Sequence, residues 1–296
     1  MAERALLCFS VYTNGAKLLS TKTGPGSIDC IHGIRFLSMS WVILGHSFVM
    51  GLQVTDNIQN FIKVGYTRWT FQAILNATVS VDTFFTLSGL LMVYLVMKEL
   101  RKKPPTGSFF LNFYFHRFWR LTPPYMLVLM VYVSLFHYTG DGPIWPQKSI
   151  EPDECEGNWW ANLLYINNLH NFGGQSEPTQ TRTCSLLLVT RGEHGDNFDI
   201  YYVKPYCRIG PYLVGMITGY ILYRTECKVY MNKLTNCVGW AVAAAVALAV
   251  VYGLFESTNG HPISTDVGAL YNALARTAWG ASVSWVIFAC ATGYGG

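Results

Sequence analysis

The stretch RFLSMSWVILGHSFVMGLQVT (residues 35–55) decides the fold of this chain. It carries no charge between Arg35 and Asp56, and about 20 apolar residues of helix are enough to cross the hydrocarbon core of a bilayer. A backbone in hydrocarbon must satisfy its own hydrogen bonds, so the stretch is predicted to be a transmembrane helix. Arg35 and His46 are expensive groups to place in such a helix, and their spacing therefore needs an explanation.

The composition also indicates a membrane protein. Of the 296 residues, 51% are hydrophobic and only 13% are charged, whereas soluble domains carry about a quarter charged residues. The net charge of +4 is small, and no basic run is interleaved with aromatic residues, so no nucleic-acid partner is expected. The eight cysteines show no CxxC pair and no zinc spacing, so no metal site is expected.

Uncharged windows of similar length recur along the chain and predict an all-α, polytopic transmembrane helix bundle of about six spans. We expect one transmembrane domain over residues 1–296, with one long polar, non-cytoplasmic loop at 139–207. The predicted spans lie near 35–55, 71–97, 121–138, 208–223, 236–255 and 270–292.

The distribution of lysine and arginine predicts the orientation. Basic residues cluster in the 98–120 and 224–235 loops, which are therefore expected to be cytoplasmic together with the N-terminus. The acidic 139–207 loop is expected to be lumenal or extracellular. It contains Cys155 and Cys184, for which a disulfide and two free thiols are both open. The sequon at Asn76 falls inside or at the edge of a predicted span, which argues against glycosylation there.

Arg35 and His46 are eleven residues apart, which is three helical turns plus roughly 20°. They are therefore predicted to share one helix face, about 16 Å apart along the axis. Ionisable groups at such depth usually face a bundle interior or a watery cavity, so a functional site is one interpretation of His46. The simpler alternatives are a helix–helix hydrogen bond for His46 and snorkelling of Arg35 to the interface.

Two further motifs carry polar groups. In SVDTFFTLSGLL (80–91), Asp82 is the only charge of its predicted span, while Ser88 and Gly89 are small enough to let another backbone approach. Asp82 is a candidate to orient a histidine, or simply a cap at the outer surface. In HRFWRLTPPY (116–125), Arg117 and Arg120 share a helix face at the predicted cytoplasmic entry. They suit phosphate binding, although anchoring to anionic lipid explains them as well.

These three motifs, in this order, resemble the acyltransferase-3 family of membrane proteins. The blocks CFSVYTNGAKLL, NWWANLLYINN (158–168) and DIYYVKPYCRIGPYLVGMITGYIL (199–222) are similar to its nose-resistant-to-fluoxetine branch. Members of this branch are longer. They have an N-terminal extracellular domain, two more helices where residues 170–198 stand here, and further helices after the last one, so the chain is expected to be a partial or internally deleted member.

The resemblance implies an O-acyltransferase that draws acyl groups from acyl-CoA, a co-substrate rather than a bound cofactor. His46 would be the catalytic base and Arg35 an active-site cation, with Arg117 and Arg120 binding the CoA phosphates. Asp82, Ser88 and Gly89 would help to build the site.

The implied partners are membrane lipids, acyl-CoA and a small-molecule or lipid acceptor, in the plasma membrane or endoplasmic reticulum. Two alternatives are open: a non-catalytic carrier of lipids or xenobiotics, associated with the nose-resistant branch, and a fragment without activity.

Overall fold

The structure is a computed structural model that describes residues 7, 10–22, 24, 27–52, 55–102, 106–142, 160–161, 163–166, 205–261 and 263–295. Most of the predicted polar loop, with Cys155 and Cys184, lies outside the described residues, so their pairing stays open. Within the described ranges all regular structure is helical and no strand occurs, which confirms the all-α fold class.

Ten α-helices with defined bounds lie in the described part of the chain. They are α1 (Val11–Leu18), α2 (Cys30–Leu52), α3 (Ile58–Gly65), α4 (Trp69–Leu75), α5 (Val79–Leu100), α6 (Gly107–Leu135), α7 (Ile209–Arg224), α8 (Lys233–Tyr252), α9 (Phe255–Thr258) and α10 (Thr265–Ala291).

Five segments among the described residues are long and apolar enough to cross a membrane: Cys30–Leu52, Trp69–Leu100, Gly107–Leu135, Lys233–Thr258 and Thr265–Ala291. The sixth predicted span is the helix α7, but its 16 residues extend only about 24 Å. That is shorter than the roughly 30 Å hydrocarbon core of a bilayer. The chain therefore has the predicted helices, one of them short.

The third span differs most from its predicted bounds. The sequence predicts a start near residue 121, after the last cation of the 98–120 loop, but α6 begins at Gly107 and continues through Pro123 and Pro124. The charged motif at 116–125 thus lies inside the helix rather than before it. Tyr165 packs against this helix, because its hydroxyl lies 3.1 Å from Thr122 Oγ1.

The bundle is built around α5. Helices α7, α10 and α2 pack against it, and α8 packs against the outer side of α10. The largest cluster of buried apolar side chains joins α2, α5, α7 and α10, and consists of Ile31, Leu87, Leu90, Leu222 and Ile287. The predicted spans thus share one packed core.

Small residues bring α5 and α7 into backbone contact. A Cβ atom at Gly215 would overlap the Thr86 carbonyl, and one at Gly219 would overlap the Leu90 carbonyl. On α5, a Cβ atom at Gly89 would likewise overlap the Tyr212 carbonyl. Membrane helices gain little from hydrophobic association, so this close packing is what holds the pair together.

Replacing Gly215 with alanine is expected to separate α5 from α7 and to destabilise the fold by about 1–3 kcal/mol, the usual range for overpacking. Gly33→Ala is the matched control, because no atom lies within 4 Å of the added methyl group. The control should be neutral or slightly stabilising, since alanine favours helix more than glycine does. Thermal unfolding in detergent checks this, and equal melting temperatures for the two variants would contradict the packing.

The connections after α5 and α7 lie on one side of the bundle. Arg101 donates a hydrogen bond to Glu226 over 2.8 Å, which joins the two helix ends. Helix α2 runs antiparallel to α5, because Gly45 abuts Ala77 while Ile31 packs with Leu90. The start of α2 is therefore on the same side, as the charge pattern predicts for the N-terminus and the two basic loops.

Stability should depend on this pair in a pH-dependent way. The hydrogen bond from Arg101 lowers the pKa of the Glu226 carboxyl below its ordinary value. The stabilisation is therefore present above the pKa of Glu226 in the unfolded chain and is lost as the pH falls through its folded value. Glu226→Gln should lower the melting temperature at neutral pH and have no effect in acid. The same substitution in an Arg101→Met background should have no effect at either pH.

Candidate functional site

The segment that runs into α5 carries functional groups on two roughly opposite faces. Ala77 and Ser88 are eleven residues apart and lie on nearly the same face of this segment. Asp82 lies roughly 140° around the axis from Ala77. The neighbours of these residues therefore define two separate regions of the bundle.

On the Ala77–Ser88 face, two of the predicted motifs come together. Gly45 of α2 packs against Ala77, and Arg117 of α6 donates from Nη2 to Ser88 Oγ over 3.4 Å. Helices α2 and α6 therefore flank the same side of α5. We infer that the face of α5 between these two helices, which includes the half-buried residues Val81 and Phe84, is open, and we call it the α2–α6 groove.

The two edges of α2 face different neighbours. Its buried stripe is Ile31, Ser38 and Gly45. On one edge Trp41 packs against Trp279 of α10, with ring centroids 5.6 Å apart, and donates from Nε1 to the Ala73 carbonyl over 2.7 Å. Arg35 and His46, both exposed, lie on the other edge of α2, and we infer that this edge borders the groove.

The register between α2 and α5 sets the depth of Arg35 and His46 in the membrane. Since Gly45 lies beside Ala77 and the helices are antiparallel, Arg35 is level with Leu87, next to the serine that Arg117 contacts. The backbone of Arg35 is therefore at a similar depth to the serine that binds Arg117. His46 lies about 16 Å away along α2, toward the opposite side of the membrane.

A hydrogen bond within α2 selects one tautomer of the His46 ring. Its Nδ1 lies 2.9 Å from the Val42 carbonyl oxygen. A carbonyl can only accept, so Nδ1 carries the hydrogen, and in a neutral ring Nε2 keeps its lone pair. The exposed side chain thus presents a basic nitrogen at the groove edge.

The remaining predicted groups fall in different places. Arg120 is exposed and lies three residues along α6 from Arg117, on the same helix face. Ser88 is part of the groove through its contact with Arg117. Gly89 instead faces α7, where it permits the contact with Tyr212, so it acts through packing.

Asp82 lies on the opposite face, in a buried charge cluster with Arg208 and Arg276. Its Oδ1 is 3.5 Å from Arg208 Nη1, and all three residues are at most 8% exposed. Arg276 is close enough to interact electrostatically with the same carboxylate, and the Arg208 guanidinium lies 5.4 Å from the Phe85 ring centroid. The partner of Asp82 is thus Arg208 rather than His46, and orientation of the histidine by Asp82 stays a prediction without a described contact.

Sequence reasoning missed the two arginines of this cluster. Arg208 and Arg276 served only to mark the ends of uncharged windows, although Arg276 lies inside the predicted span 270–292. A cation within an apolar helix calls for a partner, and Asp82 is the only carboxylate in the six predicted spans. The sequence alone is therefore enough to make Asp82 a candidate partner of Arg276.

Among the described residues, no group of histidine, cysteine and acidic side chains could hold a metal ion.

Asn76 of the sequon donates a hydrogen bond from Nδ2 to the Val251 carbonyl over 2.6 Å, so its amide is engaged in helix packing.

A family model described as an acyltransferase domain matches residues 28–175, half of the chain. The chain belongs to the acyltransferase-3 family. The match includes every predicted site residue, from Arg35 to Arg120, but neither Arg208 nor Arg276. The predicted family is therefore confirmed, and the chain is a multi-pass membrane protein of the acyltransferase type.

Two curated relatives come from Caenorhabditis elegans. Nose resistant to fluoxetine protein 6 is 29% identical over 368 residues, which covers 98% of this chain and 44% of the relative. Regulator of hypoxia-inducible factor 1 is 22% identical over 318 residues, which covers 83% of this chain and 61% of the relative. The chain thus spans less than two thirds of either relative. No solved structure matches it.

Proposed function

We propose that this acyltransferase-3 protein transfers an acyl group from acyl-CoA to a hydroxyl group of an acceptor in the α2–α6 groove. The observation that carries the proposal is the placement of His46. Its Nε2 lone pair is exposed on the same edge of α2 as Arg35, and the backbone of Arg35 is at a similar depth to the serine that binds Arg117.

The transfer follows general base catalysis. His46 Nε2 takes the proton of the acceptor hydroxyl as its oxygen attacks the thioester carbon. The carbon–sulfur bond then breaks, and the departing CoA thiolate takes the proton back from the imidazolium. The products are an ester and CoA, and the histidine returns to its neutral form.

The arginines bind the other end of the donor. Arg35 and Arg117 hold phosphate groups of CoA, since guanidinium groups bind phosphate in bidentate geometry, and Arg120 extends the same surface by one turn away from the start of α6. Ser88 holds Arg117 in place. The separation of about 16 Å between the arginine level and His46 is of the order of an extended pantetheine arm.

The buried residues act by positioning. Asp82 fixes α5, the floor of the groove, to α7 and α10 through Arg208 and Arg276. Gly89 lets α7 approach α5. Neither residue needs to touch the substrate for the groove to keep its shape. The acceptor is a small molecule or lipid that reaches the groove from the plasma membrane or endoplasmic reticulum.

The acyl-donor site can be tested through binding. Arg117→Ala should weaken binding of acetyl-CoA to the protein in lipid nanodiscs by about tenfold or more, the loss of one charge-assisted hydrogen bond. Arg224→Ala is the matched control, because Arg224 is equally exposed but lies at the far end of α7. Equal affinity of the two variants for acetyl-CoA would show that Arg117 does not bind the acyl donor.

A carrier of lipids or xenobiotics is the second candidate, favoured by exposed apolar residues of α2 such as Ile43. The test is release of free CoA, measured by mass spectrometry, from acetyl-CoA incubated with the protein and a membrane extract as acceptor. An acyltransferase releases CoA in proportion to enzyme, whereas a carrier leaves the thioester intact.

A further inference from the structure

Helix α1 presents an apolar stripe that the described residues leave uncovered. Val11, Tyr12, Leu18 and Leu19 are 86%, 87%, 85% and 86% exposed, and α1 has no buried residue. At 100° per residue these four side chains fall within roughly 120° of the helix circumference. Large apolar side chains so exposed on one face mark an interaction surface.

The other face of α1 is polar, and the segment is cationic. Thr13 and Lys17 lie opposite the apolar stripe, and Lys22 follows just beyond the helix. Between Ser10 and Ile28 the sequence has no carboxylate at all. Ser10 caps the helix by accepting a hydrogen bond from the Thr13 amide, so the helix has a defined start.

The position of α1 selects its partner. Residues 19–29 tether it to α2, whose first residue, Cys30, lies at the same side of the bundle as the Arg101–Glu226 pair. This is the side on which the basic loops lie, so it faces the cytoplasmic leaflet by the positive-inside rule. That leaflet carries anionic lipid, which complements a segment with lysines and no acids.

We propose that α1 is an interfacial helix that lies on the anionic surface of the cytoplasmic leaflet. Its stripe of Val11, Tyr12, Leu18 and Leu19 enters the boundary between headgroups and acyl chains, while Lys17 and Lys22 contact lipid phosphate. Cationic amphipathic helices bind membranes in this orientation. The helix thereby fixes the start of α2, the helix that carries Arg35 and His46, at the membrane surface.

The test is site-specific photo-crosslinking in the full chain. Benzophenone-alanine at position 12 should crosslink to phospholipid in nanodiscs of phosphatidylcholine with phosphatidylserine. The matched control places the same group at position 13, on the polar face of α1, where the lipid yield should be lower because the apolar face is the one that enters the boundary with the acyl chains. Equal yields at the two positions, or crosslinking of position 12 to protein, would overturn the proposal.

A second measurement needs no new side chain in the stripe. Amide hydrogen exchange of residues 11–18 should be slower in nanodiscs with phosphatidylserine than in those of phosphatidylcholine alone. Each of Lys17→Gln and Lys22→Gln should reduce that protection about fivefold, the effect of one lysine at an anionic surface. Exchange rates that are the same in both lipids and in both variants would refute an anionic membrane partner.

Discussion

Replacing His46 with alanine is expected to lower the rate of acyl transfer by about 10²–10⁴-fold, the usual contribution of a general base. The reason is local: the substitution removes the exposed Nε2 lone pair at the groove edge. Because the side chain is exposed, the helix bundle should keep its melting temperature. The measurement is release of CoA from acetyl-CoA by the purified protein in nanodiscs, with a membrane extract supplied as the acceptor.

His32→Ala is the matched control for this experiment. His32 is also an exposed histidine of α2, but it lies fourteen residues earlier, about 21 Å along the helix axis. Its removal should leave the rate unchanged. If the His46→Ala variant transfers acyl groups as fast as the His32→Ala variant, His46 is not the general base.

Replacing Asp82 with alanine is expected to destabilise the fold by about 3–5 kcal/mol, the usual result of removing one partner of a buried ion pair. The substitution leaves the guanidinium groups of Arg208 and Arg276 buried without their carboxylate. The expected result is a large drop in melting temperature in detergent, together with poor recovery of folded protein.

Two variants test whether the charge pairing is the cause. Asp266→Ala removes an exposed carboxylate from the first turn of α10 and should lower stability by less than about 1 kcal/mol. In a double-mutant cycle, Arg208→Met should cost less in the Asp82→Ala background than in the wild type. An Asp82→Ala protein with the melting temperature of the wild type would contradict the claim that the buried charge cluster stabilises the fold.

The fold could be predicted because bilayer physics acts on short windows of sequence. Uncharged stretches gave helices whose ends mostly agree with the structure within a few residues. The exception is α6, which begins at Gly107 because an α-helix can continue through charged residues such as Arg117 and Arg120, and the Arg117 side chain reaches Ser88. Counting charges put the predicted start of this span near residue 121, after the last cation. That rule predicts where a helix enters lipid, but it does not predict where the helix itself begins.

The groove edge could also be predicted, since Arg35 and His46 belong to one helix and periodicity alone fixes their relation. The partners of Asp82 could not, because they depend on which helices pack against which face of α5. Periodicity did contain part of the answer: Asp82 and Ser88 are six residues apart and so lie about 120° from each other. The two side chains are therefore expected to face different neighbours, as Arg208 and Arg117 do in the structure.

The most direct test of the α2–α6 groove is chemical protection of His46 in the unaltered protein. Diethyl pyrocarbonate modifies neutral histidines, and mass spectrometry locates the modified ring. A saturating, non-transferable thioether analogue of acetyl-CoA should protect His46 and leave His32 reactive. Modification of His46 that is undiminished by the bound analogue, or no modification of His46 at all, would contradict a histidine that opens into an acyl-CoA groove.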